Sequence, residues 1–348
     1  MARSELELVE WLAKRMSSDA PHLVLGIGDD MSIVETGSGT VLTTSDLLAD
    51  GVHFDAATQP LADIGHKCIA CSLSDCAAMA VRPLAATVSL ALPRGMSDED
   101  LEQLFEGMAR TASRFDCPIT GGDTVVWDKP LVVDVSLTAV PYPGIAPVRR
   151  SGARVGDVLC VTGPLGGSLL GKHLTFTPRV VQARALAEAL GTELHAMIDI
   201  SDGLSLDLYR MCQASGVGAR LDLSLLQPLI SEDAQRASRR DGRTPLDHLL
   251  NDGEDFELLV CVAVRRASAE SDDRVRAGGA YPSPERKRGA REPVACARGS
   301  DGCGGTTHGG LADLGLHPIG VVTGSDLCIA DPDGRAELLH PQGYQHRV

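Results

Sequence analysis

Aromatic residues are scarce in this sequence: Phe, Trp and Tyr together make up 3% of its 348 residues. Lysine is scarce as well, with only five in the chain, and 47 acidic residues outnumber the 32 Lys and Arg, so that the formal net charge is -15. Nucleic acids and anionic membrane surfaces carry dense negative charge and attract Lys and Arg. The composition therefore argues against both as partners and favours small molecules and metal cations.

Long apolar runs are absent, since none approaches the roughly 20 residues that span a bilayer. The N-terminal segment MARSELELVEWLAKRM is typical of an amphipathic helix and not of a signal peptide. The ten cysteines are scattered through apolar stretches, as with Cys160 and Cys261, which is how small core residues of a reducing compartment are placed. We expect reduced cysteines and a cytoplasmic protein.

The chain has room for two domains, and 43% hydrophobic with 23% charged residues is typical of globular proteins. The turn-rich segment 141–157 predicts a boundary near residue 150, which gives domains 1–150 and 151–348. Residues 265–310 are rich in Arg, Gly, Pro and Ser, and we predict a mobile insertion there.

Two groups of cysteines could in principle bind zinc, and the spacing disfavours both. Cys68, Cys71 and Cys76 lie at helical spacing without a second cysteine pair, so we expect them in the core. Cys296, Cys303 and His308 are spaced too loosely within the insertion to indicate a site.

Hydrophobic periodicity predicts a mixed α/β (α+β) chain. The predicted helices cover the N-terminal segment and residues 61–80, 97–115, 179–190, 203–215 and about 245–251. The predicted strands cover 41–45, 84–92, 131–140, 157–163, 195–200, 219–224, 256–264 and 316–324, followed by a hairpin over the DPDG turn at 331–334.

Aspartates recur at the ends of apolar strands or beside glycines, and we interpret each segment as a short acidic turn. The segments are GIGDD (26–30), TTSD (43–46), LSD (73–75), GGDT (121–124) and IDISDG (198–203). One such turn is more often structural than functional, because aspartate favours turns. Five together predict a magnesium site, since Mg²⁺ binds carboxylates, phosphate oxygens and water.

The neighbours of these aspartates suit a bound polyphosphate. Glycines allow the backbone to approach phosphate closely, and hydroxyls at Thr44, Ser45 and Ser201 add oxygen donors. A Walker-type P-loop is the competing interpretation, because Gly166, Gly171 and Lys172 have the G-x-x-x-x-G-K spacing. Residue 173 is His where that motif needs Ser or Thr for Mg²⁺, so the match is weak.

Taken in order, several motifs resemble those of the thiamine-monophosphate kinase family. They are GIGDD, TTSDLLADGVHF, SLSDCAAM, TGGDT, RRSGARVGD, IDISDGL and DGEDFELL. The resemblance spans about residues 20–264 and resumes over 316–348. The first motifs are shared with the wider PurM-like superfamily of aminoimidazole-ribotide synthetase, selenophosphate synthetase and the hydrogenase-maturation protein HypE. ADGVHF, SDCAAM and GEDFEL point to the thiamine enzymes.

The resemblance implies a PurM-like two-domain fold, in which the N-terminal domain forms a shared β-barrel in a homodimer and the C-terminal domain is α/β. It implies ATP-dependent phosphorylation of thiamine monophosphate to thiamine diphosphate by direct in-line transfer, with several Mg²⁺ ions and no phosphoenzyme. The acceptor phosphate is already anionic, so positioning and charge neutralisation suffice without a strong general base.

Site residues follow from the same resemblance. The implied metal ligands are Asp30, Thr44, Ser45, Asp46, Asp75, Asp123, Asp199 and Asp202. The implied ATP contacts are Gly122, Asp123, Arg150 and Ser201, and the implied substrate contacts are His53, Glu254 and Tyr344.

Two alternatives stay open. One is another PurM-like ATP-dependent synthetase, which the absence of a reactive cysteine near either end of the sequence disfavours. The other is a nucleotide- or thiamine-binding protein without catalysis. The chain departs from the family in the length and polarity of 265–310 and in the ending GYQHRV around Tyr344.

Overall fold

The computed structural model describes residues 5–16, 20–263 and 308–343. The helices are α1 (Glu5–Arg15), α2 (Leu61–Ala78), α3 (Asp98–Arg114), α4 (Lys172–Thr175), α5 (Val180–Leu190), α6 (Leu204–Ser215), α7 (Leu223–Leu226), α8 (Glu232–Asp241), α9 (Pro245–Asn251) and α10 (His308–Asp313). The strands are β1 (Leu23–Leu25), β2 (Ser32–Glu35), β3 (Thr40–Ala49), β4 (Val81–Pro93), β5 (Ile119–Trp127), β6 (Val132–Pro141), β7 (Val158–Val161), β8 (Leu194–Asp199), β9 (Gly218–Asp222), β10 (Leu258–Val262), β11 (His317–Thr323), β12 (Leu327–Ala330) and β13 (Ala336–Leu338).

The first sheet has six strands in the order β1-β2-β3-β6-β4-β5. The β4 and β5 strands pair in parallel and the other neighbours are antiparallel. Helices α2 and α3 pack together very closely, because a Cβ on Gly65 would lie 2.0 Å from the Leu104 carbonyl oxygen and one on Gly107 would lie 1.9 Å from that of Ala62. These glycines bring α2 and α3 into backbone contact.

The second sheet has seven strands in the order β13-β12-β9-β11-β7-β10-β8. Only β9 and β12 pair in parallel among these neighbours. Helix α6 contacts β8, β9 and α9, whereas α7 contacts β9 and β11. The strands β12 and β13 form the predicted hairpin, in which Cys328 pairs with Leu338, so that prediction is confirmed.

Helix α2 joins the two sheets. It contacts β3 and β6 of the first sheet and also α4, α5 and β8, which follow residue 150. One apolar core accordingly contains residues from both halves, including Ile69 with Phe176, Leu186 and Leu258. The predicted boundary near residue 150 falls in the segment between the sheets. Because α2 contacts elements on both sides of that boundary, residues from the two halves of the chain lie next to one another around this helix.

Three of the five predicted acidic turns are wrong. TTSD lies inside β3, LSD lies inside α2 and GGDT lies inside β5. Local sequence suggested turns because Asp and Gly favour them, but strand pairing and helix packing override that preference here. GIGDD and the end of IDISDG lie outside regular elements, as predicted.

The predicted helices and strands are present within a few residues of their expected ends. Helices α4, α7, α8 and α10 and strands β1, β2 and β5 were not predicted. The eight described cysteines are all buried, including Cys68, Cys71 and Cys76, which confirms that these three are core residues.

Parts of the predictions fall beyond the described ranges. Tyr344, Cys296 and Cys303 lie outside the described residues, as does the proposed insertion apart from residues 308–310, which begin α10. Within the described ranges, no helix is both long enough and apolar enough to cross a membrane.

Candidate active site

Three aspartates from distant parts of the sequence meet beside α2. A carboxylate oxygen from each of Asp30, Asp75 and Asp199 lies within 4.8 Å of the others. Asp30 comes from the turn between β1 and β2, Asp75 from the last turn of α2 and Asp199 from the end of β8. We call these three residues the acidic cluster.

The acidic cluster is largely buried, and the charged forms of its carboxyls are therefore disfavoured. Desolvation raises the pKa of Asp30 from 3.8 to about 6 against the opposing effect of Arg150. Desolvation, with smaller contributions from neighbouring carboxylates, raises the pKa of Asp75 and the pKa of Asp199 well above 3.8. Three such groups can all be ionised at neutral pH only if a cation compensates them.

Arg150 supplies part of that positive charge. Its Nη2 donates to Asp30 Oδ1 at 2.8 Å, and its Nε lies 3.6 Å from Asp29 Oδ1. Two buried polar atoms at this pair have no hydrogen-bond partner, namely Asp30 Oδ2 and Arg150 Nε. Because buried polar atoms are nearly always satisfied, these two mark a position for a ligand.

The cluster fits a magnesium ion. It offers hard carboxylate oxygens from three residues, one of them an orphaned buried atom, which is the ligand type that Mg²⁺ prefers. The arginine beside it suits a phosphate oxygen. The donor set therefore supports the predicted metal role of Asp30, Asp75 and Asp199.

Hydroxyl groups orient two of these carboxylates. Thr44 Oγ1 donates to Asp75, and Ser74 Oγ donates to Asp199 Oδ2 at 2.6 Å. Asp46 lies nearby on β3, where Ser72 Oγ donates to its Oδ2 at 2.6 Å. Desolvation raises the pKa of Asp46 as well. Thr44 and Asp46, both predicted metal ligands, thus adjoin the acidic cluster.

A cavity of about 170 Å³ is lined by two of the three predicted substrate residues. Its lining includes His53, Glu254, Ser201, Asp46 and Asp202, together with Cys71 and Phe256. One cavity therefore contains some of the residues that the resemblance predicts for binding the acceptor, the nucleotide and the metal. This cavity shares Asp46 with the surroundings of the acidic cluster.

Ser45 and Asp123 lie elsewhere. Ser45 Oγ donates to Asp134 Oδ1 at 2.8 Å, and Asp134 pairs across the sheet with Ser89 of β4, which in turn pairs with Asp123. Asp123 and Asp134 line a shallow depression of about 220 Å³ on the exposed side of the sheet. The structure does not bring Ser45 or Asp123 into the acidic cluster.

Gly122 precedes Asp123 in β5 at a position where no side chain fits. A Cβ there would lie 1.7 Å from the Val88 carbonyl oxygen. The glycine of GGDT is thus explained by strand contact, and its predicted role toward ATP stays a prediction.

Asp202 has a partner within the protein. Arg210 Nη1 donates to Asp202 and, at 2.7 Å, to Asp207. Desolvation and Asp202 raise the pKa of Asp207 to about 7 against the effect of Arg210. A metal ion at Asp202 would compete with this arginine.

The P-loop interpretation finds no support in the glycine-rich turn. The Gly166 and Gly167 amides donate to Asp255 at 2.8 Å and to Asp252 at 2.9 Å, and Lys172 Nζ donates to Glu257 at 3.1 Å. Amides and a lysine that are bonded to carboxylates are not available to cradle phosphate.

Sequence reasoning missed four residues of this region: Asp29, Lys67, Ser74 and Asp134. Asp29 and Ser74 were inside quoted motifs but received no role. Lys67 carried one signal, because a lysine among the small apolar residues of α2 is unusual. Asp134 is polar within the alternating pattern of β6 and gave no signal of its own.

Comparison with known proteins decides the family. The N-terminal domain of AIR synthase related protein matches residues 28–141 and its C-terminal domain matches residues 154–272. A thiamine-monophosphate kinase of Rhodopirellula baltica is 43% identical over 263 residues, which cover 73% of this chain and 81% of that protein. The chain belongs to the thiamine-monophosphate kinase family.

Solved structures agree with this kinase family. The thiamine-monophosphate kinase of Stenotrophomonas maltophilia is 27% identical, with a TM-score of 0.64, and the match covers 97% of this chain and 99% of that one. A structure described as AaThiL complexed with AMPPCP and TMP has a TM-score of 0.73 over 99% of this chain and 97% of that one. At 24% identity this second likeness shows the fold alone. The predicted α/β, PurM-like two-domain fold of the family is confirmed.

Proposed function

We propose that this chain transfers the γ-phosphoryl group of ATP to thiamine monophosphate, giving thiamine diphosphate and ADP. The observation that carries the proposal is the acidic cluster beside a cavity lined by His53 and Glu254, in a chain of the thiamine-monophosphate kinase family. Both substrates carry anionic phosphates, so a buried metal-binding cluster is the feature that this reaction needs.

The acidic cluster would hold Mg²⁺ through Asp30, Asp75 and Asp199. A bound Mg²⁺ ion would neutralise charge on the phosphates as the γ-phosphoryl group moves. Thr44 and Ser74 keep two of the carboxylates oriented through their hydroxyl donors. Arg150 holds its guanidinium beside the same cluster with part of its side chain exposed, and there it would bind a phosphate oxygen.

Transfer is proposed to be direct. The terminal phosphate of the acceptor is itself the nucleophile and is anionic at neutral pH, so no residue has to remove a proton from it. Holding both phosphates in line is then the main task of the site. Asp46, Ser201 and Glu254 line the cavity where the acceptor would lie.

The remaining predicted ligands belong to this proposal too. They are Thr44, Ser45, Asp46, Asp123 and Asp202 for further Mg²⁺ ions, Gly122, Asp123 and Ser201 for ATP, and Tyr344 for the acceptor. A cytoplasmic location completes the proposal.

A homodimer is proposed from the uncovered side of the first sheet. Leu47 is 61% exposed there, and Val125 of β5 is 53% exposed. Strand β5 lies at the edge of its sheet. Exposed apolar side chains beside an unpaired strand edge favour association with a second copy. Sedimentation should give twice the mass of the chain, and Val125→Glu should shift it toward monomer; a monomeric wild type would contradict the dimer.

The proposed activity is tested with purified protein, ATP, Mg²⁺ and thiamine monophosphate. We expect equal amounts of thiamine diphosphate and ADP, and Asp75→Asn should lower turnover by two or more orders of magnitude. Asp157→Asn is the matched control, because Asp157 is also a buried carboxylate but bonds to His195 away from the acidic cluster. Tight ATP binding without product would favour the non-catalytic alternative, and activity on a different acceptor would favour a synthetase.

A further inference from the structure

Lys67 is completely buried in the middle of α2. A lysine ammonium is among the groups least often found inside proteins, because it loses its hydration there. Its Nζ donates to both carboxylate oxygens of Glu254 at 2.8 Å and also to the backbone carbonyl oxygen of His53. One ammonium therefore contacts both described residues predicted to bind the acceptor.

These contacts connect separate parts of the fold. Lys67 belongs to α2, His53 lies in the turn after β3 and Glu254 lies just before β10. The first two pack with the six-stranded sheet, whereas Glu254 belongs to the half of the chain that forms the seven-stranded sheet. Lys67 thus fixes the position of the Glu254 side chain relative to His53.

The backbone around Glu254 is already fixed without Lys67. Glu254 and Phe256 have φ angles of +64° and +50°, which side-chain-bearing residues seldom adopt and which persist only where surrounding contacts hold them. The Glu254 amide donates to the Ser201 carbonyl at 2.6 Å, and the Phe256 amide donates to that of Ile200 at 2.8 Å.

Side chains reinforce this backbone on either side. Asp255 accepts from the Gly166 amide and from Ser168, and Phe256 stacks on Phe176 with ring centroids 4.0 Å apart. The remaining freedom at Glu254 is the rotation of its side chain. Lys67 removes that freedom by binding both carboxylate oxygens.

Stability alone does not account for the Lys67 and Glu254 pair. Buried ion pairs are often no more stabilising than apolar residues of similar volume, because desolvation of the two charges offsets their attraction. An ionised carboxylate, in contrast, can only accept hydrogen bonds, and it faces the cavity with His53. The aminopyrimidine of thiamine carries an amino group that donates them.

We propose that Lys67 is a positioning residue for the acceptor: it holds the Glu254 carboxylate as a hydrogen-bond acceptor in the cavity, beside His53. This inference rests on the proposed function, because it assigns the cavity to thiamine monophosphate. Lys67 itself does not touch the phosphates or the reacting atoms.

A double-mutant cycle tests the inference with Lys67→Met, Glu254→Gln and the double variant. Lys67→Met should raise the KM and the Kd for thiamine monophosphate by about 10- to 100-fold, which is the worth of a hydrogen bond to a charged group. The KM for ATP should stay within about twofold. The double variant should bind thiamine monophosphate no more weakly than Glu254→Gln does, because Lys67 acts through Glu254.

Arg179→Met is the matched control, since it removes a cation that binds both oxygens of another buried carboxylate, Glu257, outside the cavity. We expect it to lower the melting temperature without changing the Kd for thiamine monophosphate. Additive losses in the cycle, or equal losses for ATP and thiamine monophosphate in Lys67→Met, would overturn the inference. If Lys67→Met does not fold, Lys67→Gln replaces it in the cycle.

Direct calorimetric binding separates this inference from the proposed function. A wild type that binds thiamine monophosphate but makes no product would refute the kinase activity, and the cycle of Kd values would still decide the role of Lys67. A wild type that does not bind thiamine monophosphate would refute both.

Discussion

Removing the metal should make the folding stability of this protein fall as pH rises. Asp30 is responsible for a defined part of this effect, because desolvation raises its pKa from 3.8 to about 6 in the folded state. A raised pKa means that the folded chain holds a proton that the unfolded chain has released. The stabilising contribution of Asp30 to the free energy of unfolding is therefore fully present below pH 3.8 and is lost as pH rises through about 6.

The size of the effect follows from the two pKa values. Each tenfold change in the acid constant is worth about 1.4 kcal/mol, so Asp30 should cost the metal-free protein about 3 kcal/mol of unfolding free energy by pH 7.5. Asp30→Asn keeps the shape of the side chain and cannot ionise. The variant should match the wild type near pH 4 and be about 3 kcal/mol more stable at pH 7.5, although it should be inactive.

Urea unfolding in a chelator, at several pH values between 4 and 7.5, measures this difference. Some carboxylates, such as Asp247 and Glu257, have pKa values below the usual range and therefore make the protein more stable as pH rises. Their contributions are the same in both proteins and cancel in the comparison. Adding Mg²⁺ should restore the unfolding free energy that the wild type loses at pH 7.5 and leave the unfolding free energy of Asp30→Asn nearly unchanged. A difference between the proteins that does not vary with pH would refute the reasoning.

Three further outcomes are expected. Asp199→Asn should lower turnover by about two to three orders of magnitude and weaken Mg²⁺ binding in titrations, because it removes one of three clustered carboxylates; normal Mg²⁺ affinity would contradict this. Arg150→Met should raise the KM for ATP about tenfold or more through the loss of a charged donor, measured by steady-state kinetics, while the KM for thiamine monophosphate changes less. Phe176→Ala should lower the unfolding free energy by about 3 to 5 kcal/mol in chemical denaturation, because a buried ring stacked on Phe256 is removed.

Much of the fold was predictable because the hydrophobic pattern is strong. Helix α3 has a serine N-cap at Ser97 and an amphipathic pattern, and it begins one residue after the predicted start. Strand β5 was missed because GGDT at its centre carries the residues of a turn. Its pairing with β4 depends on contacts far away in sequence, which local pattern cannot report.

The candidate site was predictable as a set of residue types and much less as an arrangement. The order of the aspartate motifs along the chain was enough to identify Asp30, Asp75 and Asp199, and the three lie together in the fold. The same reasoning grouped Asp123 with them, although β5 lies three strands away from β3 in the sheet. Lys67 was not recognised, because its role depends on Glu254, which lies 187 residues later.

The most direct test of the account follows the γ-phosphoryl group of ATP itself. Single-turnover reactions with γ-labelled ATP, Mg²⁺ and thiamine monophosphate should place the label in thiamine diphosphate, with none on the protein at any time. Label retained on the protein would contradict direct transfer, and label released only as inorganic phosphate would contradict the proposal that thiamine monophosphate is the acceptor.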